Sequence, residues 1–243
     1  MKVKFTFSSE EEIVLPIHYN YILQSFIYNC MDRVFSTFLH DKGIVYDGKN
    51  FKLFTFSQIF GRRRILKKDK KIVFKPPIHF YFSCAFKDLL NSYVLNVLEK
   101  EELNLGGNKV FLQSVEAIEE MIEKTPIVIK TLSPITVHRT SKEGRTIYYN
   151  PYQEEFYELI KKNIQRKAKA FGVPFEYFSL EPVEGAKFAK VVTYYKNNFV
   201  IEAWKGKFIM RANPKLAKLV LEAGLGDRNS QGFGMVVKDI VKG

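Results

Sequence analysis

The sequence predicts an α+β fold of two consecutive units, on three observations. Strand-like and helix-like periodicities follow the order β-α-β-β-α-β, and that order returns in the second half of the chain. The 243 residues, 46% hydrophobic and 15% aromatic, are enough for two cores of ordinary size.

In the first unit Val3, Phe5 and Phe7 alternate with Lys2, Lys4 and Thr6, the pattern of a half-buried strand. Pro16 precedes a helical stretch, His18 to Phe38, whose apolar face is Ile22, Phe26, Ile27, Cys30, Met31, Val34 and Phe38. Two strands rich in Phe, Ile and Val are expected at 51–57 and 72–82, with a basic loop at 61–71 between them. A helix over 86–98 and a strand over 109–118 close the unit.

The second unit begins with a strand at 126–137 and a helix at 152–169 that presents Phe156, Leu159, Ile160 and Ile164 on one face. Segments 187–195 and 199–210 read as a hairpin turning at Asn197-Asn198. Asn213 and Pro214 start a helix with Leu216, Leu219, Val220 and Ala223 on its apolar face. Residues 235–241 supply the last strand. The order is that of two tandem ferredoxin-like (RRM-like) domains, assigned to residues 1–122 and 123–243.

The formal net charge of +12, from 38 Lys and Arg against 26 Asp and Glu, attracts polyanions and favours nucleic acid as partner. Cys30 and Cys84 lie in no CxxC pair, and the four histidines form no HxxxH spacing; DxD is also missing. Neither a disulfide framework nor a metal or other cofactor is therefore expected, and a two-metal nuclease is disfavoured. No apolar run approaches the roughly 18 residues of a membrane span, so a cytoplasmic protein without membrane contact is expected.

Three segments are candidates for chemistry. The run 61–71 carries Arg62, Arg63, Arg64, Lys67, Lys68, Lys70 and Lys71, suited to phosphates but equally to a solvated hairpin tip. The helix 152–169 has a basic face of Lys161, Lys162, Arg166, Lys167 and Lys169. The segment 224–234 holds Gly224, Gly226, Gly232 and Gly234 around Arg228, Asn229 and Ser230. It is neither a Walker loop nor a dinucleotide fingerprint, and it leaves a helix where phosphate loops enter one. Its glycines would admit an RNA backbone, or would simply cap the helix and form a bulge. Among the histidines, His40 ends an apolar helix and opens the polar Asp41-Lys42-Gly43, a placement suited to proton transfer near neutral pH.

Segments Leu23-Gln-Ser-Phe-Ile-Tyr-Asn29, Phe38-Leu-His-Asp41, Phe51-Lys-Leu-Phe-Thr-Phe-Ser57, Leu132-Ser-Pro-Ile135 and 224–236 together resemble, in the same order, the CRISPR-associated endoribonuclease of Cas family six. The resemblance implies a metal-independent cut of precursor CRISPR RNA within its repeats. The RNA's own 2'-hydroxyl would attack, leaving a 2',3'-cyclic phosphate and a 5'-hydroxyl. Tyr28, His40 and Lys52 fall on the family's catalytic positions, with Lys42 or Lys49 as alternatives to Lys52. RNA contacts are expected from Arg62, Arg63, Arg64, Lys67 and Lys68 and from the glycine-rich segment. The expected partner is repeat RNA, precursor and mature, with a CRISPR interference complex and a homodimer as further options. The competing reading is an RNA-binding protein of the same fold, or a subunit of such a complex, that does not cut.

Overall fold

The computed structural model describes residues 1–41, 43–195 and 199–239; the side chains of His40 and Asp41 are outside the description. The first unit is a sheet built on one long strand. β1 (Lys2–Ser8) buries Val3, Phe5 and Phe7 as its alternation requires. β2 (Ile13–Pro16), α1 (Asn20–Asn29), α2 (Arg33–Asp41), β3 (Ile44–Tyr46), β4 (Lys49–Phe51), β5 (Phe54–Phe56) and β6 (Phe60–Leu66) follow. β7 (Lys71–Cys84) is the spine: β1 and β2 pair with it along one edge, β5 and β6 along the other. α3 (Lys87–Leu98), β8 (Leu103–Leu105) and β9 (Asn108–Ile118) complete the unit, with β9 beside β1.

The second unit has β10 (Ile127–Thr131), β11 (His138–Thr140), β12 (Thr146–Tyr148), α4 (Glu154–Ala170), β13 (Phe178–Pro182), β14 (Ala189–Tyr195), β15 (Phe199–Lys205), β16 (Lys207–Ala212), α5 (Pro214–Ala223) and β17 (Val236–Lys238). Its sheet order is β13-β16-β10-β17. In chain order these are the second, third, first and fourth strands, which is ferredoxin-like topology; β7 flanked by β5 and β1, with β9 outside β1, repeats it in the first unit. The fold is thus two tandem ferredoxin-like domains.

Several sequence expectations change in detail: the 51–57 strand divides between β4 and β5, and the strand expected over 126–137 ends at Thr131. The helix over 18–38 is two helices, because the Asp32 carboxylate accepts the Val34 N–H at 2.8 Å and starts α2 afresh. The break shifts the helical phase, and Val34 and Phe38 end up exposed. The basic run 61–71 is strand as far as Leu66: β6 is an edge strand solvated on both faces, so no period-2 pattern marks it. The segment 199–210 divides at Gly206 into β15 and β16, which belong to different sheets. Strand two of the second domain is β13, so β14–β15 is an inserted hairpin; its turn at Asn197-Asn198 and the end of the 235–241 strand fall outside the described residues.

Asn213 caps α5 as expected, its side chain accepting the Leu216 N–H at 2.8 Å, and Leu216, Leu219, Val220 and Ala223 are buried. Each domain has its own hydrophobic core, with one exchange: Phe51 and Leu53 leave the first domain and join the core of the second. No helix among the described residues is long and apolar enough to cross a membrane.

Candidate active site

Lys52 is positioned by its neighbours. Phe51 and Leu53 sink into the second core, at 7% and 3% exposure, and hold the half-buried Lys52 between them. Two apolar anchors of this size contribute about 1.5–3 kcal/mol each when fully buried. Leu53 has a left-handed backbone (φ 46°), and its carbonyl accepts the Ala85 N–H at 3.0 Å. The preceding hairpin β3–β4 turns at Asp47-Gly48, both with positive φ, and Asp47 pairs with Arg166 of α4 at 3.4 Å.

Lys52 Nζ lies 3.2 Å from the Tyr28 hydroxyl and 5.6 Å from the centre of its ring. Tyr28, near the end of α1, packs edge-on against Phe54 at 5.9 Å. Burial pushes its phenol up to about 12, so at neutral pH it is a protonated hydroxyl. His40 sits at the C-terminal end of α2; its backbone is described and its side chain is not. Lys42 lies outside the described residues.

The glycine-rich segment forms the opposite wall. A cavity of about 180 Å³ is lined by Lys49 to Phe54 on one side and by Asn163, Lys167 and Gly226 to Ser230 on the other. It therefore joins Lys52 with Arg228, Asn229 and Ser230, which stand far apart in sequence. Gly224, Gly226, Gly232 and Gly234 are buried, and the close approaches they permit are to protein. A Cβ on Gly234 (φ 75°) would stand 1.9 Å from the Leu225 carbonyl, and one on Gly232 (φ 84°) would stand 2.5 Å from the Phe56 ring. The N–H groups of Gly224, Gly232 and Gly234 are taken by Val220, Asn229 and Pro134 carbonyls. α1 then grips the segment: Gln24 donates to Ser230 O at 2.7 Å, and Asn20 to Gln231 O at 3.2 Å. The same helix therefore carries Tyr28 and docks the loop.

Arg228 has a left-handed backbone (φ 57°), sparsely populated for a residue with a side chain. Its guanidinium stands 4.7 Å over the Phe199 ring, and its Nε is buried with no hydrogen-bond partner among the described residues. The same guanidinium donates to Gln231 Oε1 at 3.4 Å, and Arg228 lines the cavity, where a guanidinium can donate to an anionic oxygen.

Sequence reasoning missed a carboxylate cluster beside this wall. Asp227 Oδ2 accepts from the His138 N–H at 3.2 Å and lies 3.0 Å from His138 Nδ1, while Oδ1 accepts from Asn163 at 3.3 Å. Burial opposes ionisation of Asp227, but the hydrogen bonds and charge of His138 outweigh it and hold the carboxyl below its usual range. Nothing in local spacing marks the cluster, since it draws on three separate segments. Among the described residues no three His, Cys, Asp or Glu side chains converge as a metal site.

The β6 cations lie elsewhere. Arg62 pairs with Lys75 on β7, nine residues before Cys84, where Phe54 pairs; at about 3.3 Å per residue that is roughly 30 Å along the strand. Arg62, Arg63, Lys67 and Lys68 are exposed, and Arg64 makes a two-pronged ion pair with Glu12 at 2.5 and 2.6 Å. They form a surface separate from the cavity.

Paired ferredoxin-like domains with a cation-lined cavity at their junction define a class of protein suited to an anionic ligand. Comparison with known proteins narrows it. Two family models cover nearly the whole chain, "CRISPR-associated protein Cas6, N-terminal" over residues 14–116 and "CRISPR associated protein Cas6, C-terminal" over 116–237. The chain belongs to the Cas6 family. It is 30% identical to the CRISPR-associated endoribonuclease Cas6 of Pyrococcus furiosus, over 91% of this chain and 83% of that protein. It is 27% identical to CRISPR-associated endoribonuclease Cas6 1 of Methanocaldococcus jannaschii, over 98% and 92%. A solved structure described as "CRISPR associated protein Cas6" superposes with a TM-score of 0.79 at 28% identity, covering 99% of both chains.

Proposed function

We propose that the protein is a metal-independent endoribonuclease that cuts precursor CRISPR RNA within its repeats. The observation that carries this reading is the cavity in which Lys52, hydrogen-bonded to Tyr28, faces Arg228 across the domain junction. Endoribonuclease relatives of nearly the same length support it.

The reaction needs no outside reagent. The 2'-oxygen bonds to the adjacent phosphorus, the bond from phosphorus to the 5'-oxygen breaks, and one proton passes from the first oxygen to the second. A cyclic phosphate and a 5'-hydroxyl result. His40 serves as the proton-transfer group, which is typically a 10²–10⁴-fold effect. Tyr28, still protonated at neutral pH, orients the 2'-hydroxyl or partners the imidazole. Lys52 offsets negative charge on the pentacoordinate phosphorus; a positioned donor of this kind typically contributes 10²–10³-fold. Residues 1–122 thus supply the reacting groups. Residues 123–243 supply Arg228 and Ser230 for the phosphate, the Asn229 amide being spent within its own segment, while the exposed β6 cations hold RNA farther from the cut.

The test is cleavage of the cognate repeat RNA in EDTA, alongside His40→Ala and an RNA with a 2'-deoxy sugar before the scissile phosphate. Cutting by the wild type that either change abolishes is the expected result. Binding without cutting would make the protein a guide-RNA binder, and activity only with added magnesium would overturn the chemistry.

A further inference from the structure

The basic face of α4 holds one cation unlike its companions. Lys161, Lys162 and Lys169 are exposed and Arg166 is half-buried, whereas Lys167 is 3% exposed. Its ammonium donates to Gly224 O at 2.8 Å, to Gly226 O at 3.3 Å and to Asn229 Oδ1 at 2.7 Å. All three acceptors belong to the glycine-rich segment. Asn229 passes the grip onward, its amide donating to Leu225 O at 2.9 Å and Phe233 O at 3.0 Å. One helical turn before Lys167, Asn163 reaches Asp227 of the same segment, so a single face of α4 holds the loop at two points.

A buried ammonium is costly unless its donors are satisfied and a counter-charge is near. Here three oxygens meet it and the Asp227 charge lies near, and both glycines that offer their carbonyls, Gly224 and Gly226, adopt positive φ. The consequence falls on Arg228, which lies between the gripped residues 226 and 229 with a left-handed backbone of its own. Residues with side chains keep that conformation when their surroundings enforce it.

We propose that Lys167 is a positioning residue for RNA cleavage: by tying the glycine-rich segment to α4 it fixes Arg228 over the cavity that Lys52 lines. The proposal rests on the nuclease reading above. Lys167 acts through the segment that its ammonium holds. Burial lowers its amine to about 7, and the Asp227 charge works against that shift. The charged and titratable groups around it are Asp227, on the segment, His138, on the far side of that carboxylate, and the cations Lys49, Lys52 and Arg228 that line the same cavity.

The test compares wild type, Lys167→Met, Arg228→Ala and the double variant. Amide hydrogen exchange should quicken at least tenfold over residues 224–234 in Lys167→Met and stay unchanged within α3. At saturating repeat RNA the single-turnover rate should fall at least tenfold while Kd weakens less than threefold. In the Arg228→Ala background, Lys167→Met should cost under twofold more, since both changes remove one function. Unaltered exchange in the segment, an unaltered saturating rate, or effects that multiply would each overturn the proposal. Lys167→Gln, which can still donate to two of the oxygens, stands in if Lys167→Met does not fold and should show intermediate exchange and rate. A wild type that leaves RNA whole in EDTA sinks the nuclease reading instead, and the exchange data still judge the grip.

Discussion

Lys52 and Tyr28 meet at 3.2 Å although one is anchored in the core of the second domain and the other rides on a helix of the first. Their hydrogen bond couples the two domains at the spot where the proposed cleavage would need charge offset. Lys52→Ala is expected to lower the saturating cleavage rate by about 10²–10³-fold. Lys52→Arg should recover part of it. Single-turnover kinetics with one repeat RNA would check both.

Tyr28 carries a prediction in pH. With its phenol pushed up to about 12, the hydroxyl stays protonated from pH 6 to 9. Tyr28→Phe should therefore scale the rate down by a constant factor across that range without moving the inflections of the profile. An inflection that disappears in Tyr28→Phe would give the phenol a titrating role that its burial argues against.

Lys167 makes stability depend on pH with a definite sign. Its pKa is about 7 folded and near 10.5 unfolded, so between these values the native state holds fewer protons than the unfolded chain. Stability should rise with pH through that window, at most by about 1.4 kcal/mol per unit from this group. Denaturant titrations at pH 7, 8 and 9 should show a steeper rise in wild type than in Lys167→Met.

Phe51→Ala should destabilise by about 3–5 kcal/mol, the usual cost of emptying a buried phenylalanine site. It should also reduce cleavage at temperatures where the variant is fully folded, because Lys52 loses a neighbouring anchor. A variant of reduced stability but full activity would show that Leu53 suffices.

The β6 cations lie at a distance from the cavity. Arg62→Ala with Arg63→Ala should weaken repeat RNA binding and reduce the slope of log Kd against log salt by about 0.7 for each phosphate no longer neutralised. The saturating cleavage rate should be unchanged.

Which parts of this were legible in the sequence follows from the range of the forces involved. The first strand, the α5 cap at Asn213 and the apolar faces of α4 and α5 are written in neighbouring residues, and all stand where periodicity put them. The break between α1 and α2 was encoded too, in the Asp32 cap, but an uninterrupted apolar pattern masked it. β6 was illegible because an edge strand with water on both sides needs no alternation. Tyr28 and Lys52 were singled out by family resemblance, since an amphipathic helix and a short strand explain them equally well. Lys167 read as one more cation of a basic face, although its spacing from Ile160 and Ile164 places it on the buried stripe of α4, and the oxygens that satisfy it there come from the distant residues 224–229.

Phe51 and Leu53 thread the first half of the chain into the interior of the second. The halves are consequently poor candidates for modular exchange. A chimera joining residues 1–122 to the C-terminal half of a distant homologue would present two bulky apolar plugs to a socket shaped for others, and Lys52 would lose its bearing even if both halves folded. Such hybrids should work only when the second-domain core that receives them travels with the plugs.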